Sequence, residues 1–236
     1  QLLAKSLGKY KNNVVISSKV GWLKNEFEHA YCRENIIKQC EKSLKNLKRD
    51  FIDIYYFHHG DFGKNDRYLD EAMDTMLLLK KLGKIKIIGL SCYTTKDFVR
   101  LIPKIKPQIL QGLANILEDK FIRPQTLVRQ LLDKYKIPFV AFSPLAQGLL
   151  TGKYSAKNPP VFEDGDHRKN SEKFTKKYLE KFERKILELK LGDKNLTKYA
   201  IQYLLAYQCV GSVITGFRNL EQVKINIGIE NESRNQ

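Results

Sequence analysis

Two kinds of hydrophobic pattern alternate along the chain. Short, β-branched, apolar runs stand at Val14–Ser18, Ile52–Phe57, Lys86–Leu90, Gln108–Leu110, Pro138–Phe142 and Ser212–Thr215, each too short for a helix and suited to a pleated surface. Between them apolar residues recur at helical spacing. Ile36, Ile37, Cys40, Leu44 and Leu47 share one face, as do Leu69, Ala72, Met73, Met76 and Leu77, with Gly83 placed to stop that helix. Further stripes are Leu127, Val128, Leu131, Leu132 and Tyr135; then Phe174, Tyr178, Phe182, Ile186 and Leu189; then Leu196, Ala200, Ile201, Leu204 and Leu205. Strand and helix in alternation predict an α/β fold with a parallel sheet and right-handed crossovers. One stretch breaks the rhythm: Gly152–Asn170, polar and containing Pro159, Pro160 and Gly165, reads as a loop over a binding site. No repeat or linker divides the chain, so residues 1–236 read as a single domain.

Composition narrows the class. With 42% hydrophobic and 11% aromatic residues the chain can bury a core. No apolar run approaches the roughly 18 residues that cross a bilayer, so no membrane partner is expected. Four scattered cysteines without C-x-x-C spacing argue against a disulfide framework or zinc site, and a reducing cytoplasm is the expected home. The 42 Lys+Arg against 26 Asp+Glu give +16, which raises nucleic acid as a partner. The excess is dispersed, however. Lys45, Lys48 and Arg49 end one helix, Lys80 and Lys81 another, and Lys173, Lys176, Lys177 and Lys181 stud a third, a pattern of solvated faces and dipole-complementing ends rather than a nucleic-acid site.

Chemistry gathers where the strands end. The first strand runs into Lys19 and the second into His58; the later ones deliver Ser91, Gln111, Ser143 and Gly216. Ligands of parallel α/β folds sit at the carboxyl ends of strands, so these residues form a candidate site, although each alone has a structural explanation. No G-x-G-x-x-G follows the first strand, and no P-loop, nucleophile elbow or metal-ligand spacing is present.

Five segments, in order, carry a resemblance. Ser17-Ser18-Lys19, Ile52-Asp53-Ile54-Tyr55-Tyr56-Phe57-His58, the stretch Gly83 to Ser91, the stretch Ser143 to Tyr154 (SPLAQGLLTGKY) and the stretch Gly216 to Asn226 together resemble the aldo-keto reductase family, in particular the branch of potassium-channel β-subunits and their bacterial relatives. The resemblance implies a (β/α)8 TIM barrel that binds NADPH (cofactor NADP) across its C-terminal face, and hydride transfer to an aldehyde or ketone. Lys19 matches the lysine that lowers the pKa of a tyrosine acid, and His58 the histidine that orients the carbonyl oxygen. Ser91 and Gln111 match the groups that hold the nicotinamide carboxamide, and Phe142 the residue stacked on its ring. Ser143, Leu145, Gln147 and Gly148 match the pyrophosphate region. Gly216, Arg218, Gln222 and Asn226 match the adenosine half, with Asn219 capping the last helix and Arg218 suited to a 2'-phosphate. Trp22 is a candidate wall of the substrate pocket, and no metal is implied.

The match departs in places. Cys92 stands where the family usually has Asn, and Ala114 where it has an aromatic residue, which is expected to weaken cofactor binding. The family's catalytic Tyr and Asp lie upstream of a helix that resembles Gln1–Gly8, and Tyr10, Tyr55 and Tyr56 do not occupy the tyrosine's place. The expectation is therefore an N-terminally incomplete barrel of about six βα units, inactive as it stands and open to self-association through its sheet edges. An NADP-binding sensor or regulatory pseudoenzyme is the alternative to a reductase.

Overall fold

The structure, a computed structural model, describes residues 1–22, 26–190 and 195–234, the last five of these as backbone only. Its strands are β1 (Ser17–Val20), β2 (Ile52–Phe57), β3 (Ile85–Ser91), β4 (Ile109–Leu113), β5 (Phe139–Phe142) and β6 (Val210–Ile214), which lie side by side in sequence order in one sheet. The helices are α1 (Leu2–Leu7), α2 (Arg33–Leu47), α3 (Leu69–Lys81), α4 (Thr95–Ile105), α5 (Leu127–Tyr135), α6 (Lys176–Glu188), α7 (Leu196–Leu205) and α8 (Leu220–Arg234). The first four strands pair in parallel through consecutive registers. Six strands alternating with helices give a partial (β/α)8 barrel.

The residues fall into two compact units. The first comprises residues 1–112 and 123–139. Its strands turn Tyr55, Phe57, Ile88, Leu90 and Leu110 toward the helices, where Ile36 and Cys40 of α2, Met76 of α3, Leu101 and Ile102 of α4 and Leu132 of α5 are also buried. Alternation along each strand sends the intervening side chains to the opposite face. The second unit comprises residues 113–122 and 140–236. Its core is a cluster of Leu149, Leu150, Phe174, Leu179, Phe182 and Ala200, with Tyr154 and Phe162 packed against it.

Most of the periodic stripes fold as expected, and the local chemistry explains their ends. Thr94, Thr126, Thr175 and Asn195 each cap a helix by accepting a backbone N–H from three residues on. Lys48, Lys106 and Lys136 end three helices in the left-handed conformation that glycine usually supplies. A lysine there adds positive charge at the negative end of the helix dipole, so part of the basic excess serves helix termini. Arg49 does not belong to a solvated face. Its side chain is buried, paired with Asp53 at 2.9 Å and donating to the Val14 carbonyl at 3.2 Å.

Several elements differ from the pattern reading, among them β4, which runs on to Leu113 instead of ending at Leu110, and β6, which lies at Val210–Ile214 instead of Ser212–Thr215. The first strand lies at Ser17–Val20 instead of Val14–Ser18, because ladder pairing with β2 begins only at Ser17. Upstream, the Asp53 side chain accepts the Ile16 N–H at 2.9 Å while Val15 stays 74% exposed, so β-branched character there has no partner strand. Helix α4 has a clear apolar stripe of Phe98, Leu101, Ile102 and Ile105, but Pro103 interrupts it. The proline sits in the last turn, where it removes the bond its N–H would make to the carbonyl four residues back, and the helix ends two residues later at Ile105.

Candidate functional site

In the first unit, strand register brings the predicted chemistry onto one face. Lys19 is opposite Tyr56, Tyr56 opposite Gly89, Gly89 opposite Ile109, and Ser91 opposite Gln111. His58 follows two residues after Tyr56 and is fixed by its backbone N–H, which donates to the Val20 carbonyl at 2.8 Å. Lys19, His58, Ser91 and Gln111 therefore stand at the carboxyl ends of four neighbouring strands on the face away from the helices.

Electrostatics set their protonation. Partial burial lowers the Lys19 pKa from its ordinary value. Burial pushes His58 down to about 4, and the positive charge of Lys19 adds to the effect. His58 is neutral at pH 7, so its ring has one N–H donor and one acceptor nitrogen. The Trp22 ring lies 5.3 Å from that of His58, tilted by 41°, with Trp22 itself 70% exposed.

His59, the next residue, points elsewhere and builds the frame. Its Nε2 donates to the Gly21 carbonyl at 2.6 Å, which leaves Nδ1 to accept the Asp61 N–H at 3.2 Å. The Tyr31 hydroxyl donates to the His59 carbonyl at 2.7 Å and accepts the His59 N–H at 2.9 Å. These bonds tie the ends of β1 and β2 together, so Trp22 and His58 are held by backbone rather than by their own side chains.

Ser91 and Gln111 provide the test of whether a nicotinamide cofactor fits. Both are buried, at 1% and 2% exposure, and the Ser91 Oγ has no hydrogen-bond partner among the described residues. A buried hydroxyl without a partner is costly, and a ligand amide would satisfy it. The residues fit the carboxamide. Cys92 is fully buried, its thiol pushed up by burial, so it presents no polar amide in place of the family's Asn.

The second unit holds the remaining candidates, and loops and helix ends build them. After β5 the backbone takes left-handed turns at Ser143, Ala146, Gln147 and Gly148. The Ser143 carbonyl accepts the Asn115 side-chain amide at 3.2 Å and the Ala146 N–H at 3.0 Å. Asn115 is fully buried, and its Oδ1 also accepts the N–H groups of Leu117 and Glu118, so it pins this turn. Phe142 and Leu145 are half-buried, Leu145 against the apolar cluster, while Gln147 is exposed.

At the other end of this unit Asn219 caps α8, its Oδ1 accepting the Gln222 N–H at 3.0 Å. Gln222 reaches back to accept the Arg218 N–H at 2.7 Å, a variant of the reciprocal capping box. Gln222 and Asn226 lie one turn apart on α8, and Gly216 and Arg218 are exposed just before it. Arg218 lines an open cleft of about 630 Å3 with Lys153, Tyr154, Phe162 and Arg168. Arg168 is a residue the sequence reading did not single out. It forms a two-pronged pair with Asp166 at 2.6 and 2.9 Å, lies 4.4 Å from the Phe162 ring centre and donates to the Gln147 carbonyl at 3.4 Å. Its signal was hidden because Gly152–Asn170 has no periodicity.

Parallel strands with a lysine, a neutral histidine, a serine and a glutamine at their carboxyl ends form the scaffold of a partial α/β barrel. The aldo/keto reductase family matches residues 1–234, and the chain belongs to that family of NAD(P)-dependent oxidoreductases. It is similar to L-galactose dehydrogenase of Arabidopsis thaliana, 26% identical over 231 residues, with 97% of this chain and 67% of that protein covered. It is also similar to the uncharacterized oxidoreductase YqkF of Bacillus subtilis (strain 168), 32% identical over 210 residues, with 87% and 62% covered. Among solved structures, aldo-keto reductase AKR11C1 from Bacillus halodurans (holo form) superposes with a TM-score of 0.73 at 24% identity, covering 96% of this chain and 70% of that one. The chain thus spans about two thirds of the length of these curated relatives. No described helix is long and apolar enough to cross a membrane, and no cluster of metal-ligating side chains occurs among the described residues.

Proposed function

We propose that the protein is by family an NADP-dependent reductase of aldehyde or ketone carbonyls, with an NADP-binding sensor or regulatory pseudoenzyme as the alternative, because no tyrosine of this sequence takes the place of the family's acid. The supporting observation is the strand-end face that carries Lys19, a neutral His58, Gln111 and the buried, unpartnered Ser91 hydroxyl. The cofactor, when bound, supplies a hydride from the nicotinamide ring.

This chain's residues prepare the acceptor. The neutral His58 donates its ring N–H to the carbonyl oxygen, and the Lys19 ammonium places positive charge where negative charge grows on that oxygen. Ser91 and Gln111 hold the cofactor's carboxamide and so select which ring face meets the substrate. Phe142 offers a flat apolar surface for that ring. Ser143, Leu145, Gln147 and Gly148 receive the pyrophosphate, and Gly216, Arg218, Gln222 and Asn226 the adenosine half. Arg218 with its fixed guanidinium fork suits a 2'-phosphate, hence NADP over NAD. Trp22 walls the substrate pocket beside His58.

The assay is carbonyl-dependent oxidation of NADPH by the intact protein, using an aromatic aldehyde. Consumption of NADPH only when aldehyde is present supports the reading. NADPH binding without turnover would replace it with a nucleotide sensor, and absence of binding would end both.

A further inference from the structure

Tyr56 lies on the chemical face of β2 but belongs to none of the roles above. It stands opposite Lys19 on one side and Gly89 on the other, and it is 1% exposed. Its ring lies directly over Gly89, where an added Cβ would be driven into the ring carbons. Gly89 has ordinary strand geometry, so the glycine is needed for space rather than for backbone freedom. Across that gap the tyrosine ring is directed over β3 toward β4, which carries Gln111, and the Gln111 side chain lies close enough to lower the hydroxyl's pKa against the effect of burial. Burial pushes the hydroxyl's pKa up to about 12, so it remains an O–H throughout the neutral range. An apolar side chain would fill the same space over Gly89, but only a tyrosine brings a polar atom across to Gln111.

We infer that Tyr56 is a positioning residue that fixes the Gln111 carboxamide so that, beside the Ser91 Oγ, it is oriented to receive the carboxamide of the nicotinamide ring. A glutamine side chain has several freely rotating bonds, and holding one end of its amide removes ordering cost from ligand binding. The three parts form one device. Gly89 opens the path, Tyr56 spans it, and Gln111 is aimed by it. This inference rests on the NADP reading above.

The test uses the intact chain and two probes: oxidised NADP, and 2'-phospho-ADP-ribose, which keeps the adenosine phosphates but lacks nicotinamide. Tyr56→Phe retains the ring over Gly89 and removes only the hydroxyl. NADP binding should weaken about threefold to tenfold, the worth of one hydrogen bond, with 2'-phospho-ADP-ribose affinity unchanged. In a Gln111→Ala background, Tyr56→Phe should produce no further loss. Equal losses for both probes, undiminished NADP affinity, or additive losses in the double variant would each overturn the positioning role. Failure of the unmutated chain to bind either probe would instead overturn the NADP reading, and this inference with it.

Discussion

The two units build their candidate residues by opposite means. In the first, Lys19, His58, Ser91 and Gln111 stand on neighbouring parallel strands, and strand register decides which of them share a face. In the second, Ser143 to Gly148 depend on left-handed turns, and Gly216 to Asn226 on an exposed segment and a helix start. The first set is buried or half-buried, with a buried hydroxyl that lacks a partner among the described residues; the second is half-buried or exposed and borders a cleft with Arg218 and Lys153. Strand faces suit a reaction that tolerates little displacement, whereas turns and helix ends offer the backbone N–H groups and mobile cations that phosphates require.

That contrast gives its sharpest consequence in turnover. Replacing Lys19 by Met, or His58 by Ala, removes a group at the reacting oxygen and should lower carbonyl reduction on the order of 100-fold or more. Cofactor affinity, read by NADPH fluorescence, should change little. If affinity fell as steeply as turnover, the strand-end face would be serving binding rather than chemistry.

Next in size is a packing effect. Gly89→Ala forces a methyl group into the Tyr56 ring, a cost of about 1–3 kcal/mol that urea denaturation would register. The same substitution at Gly216, where an added Cβ meets open space, should be nearly silent. Comparable losses at both glycines would contradict the difference in enclosure between the two units.

On the other side of the comparison, Arg218→Ala should weaken NADPH binding roughly tenfold and leave NADH binding unchanged, because the guanidinium is assigned to the 2'-phosphate alone. Parallel losses for both nucleotides would remove that assignment.

The smallest expected effect is a pH dependence confined to the strand-end face. His58 is held neutral by a pKa lowered from 6.5 to about 4, so the unfolded chain takes up this proton first as pH falls. Stability should be at its plateau above pH 6.5 and decline between 6.5 and about 4. His58→Ala should flatten that part of the urea-midpoint profile. An unchanged slope would mean that His58 is not buried against Lys19 as described.

Legibility followed the same division. Strand alternation with short apolar runs located β2, β3 and β5 to within a residue at each end, and the residues after them were readable as chemistry because parallel strands place ligands there. β1 was misplaced because Val14 and Val15 have strand character without a partner, a fact set by Asp53 and Arg49 far along the chain. The link from Tyr56 over Gly89 to Gln111 depends on registers between three strands, which no local pattern encodes. Arg168 was invisible for another reason. Its place is fixed by Asp166, Phe162 and a carbonyl twenty-one residues away, within a segment that has no period to read. Family resemblance supplied roles for Phe142, Gly148 and Asn226 that residue chemistry alone does not reveal.

If these residues act as proposed, they hold a nicotinamide nucleotide carrying a 2'-phosphate. Fluorescence titration of the intact chain with NADPH and, separately, NADH tests it most directly. Saturable binding in the micromolar range that is tighter for NADPH is the predicted result, whereas no saturable change with either nucleotide would contradict the account.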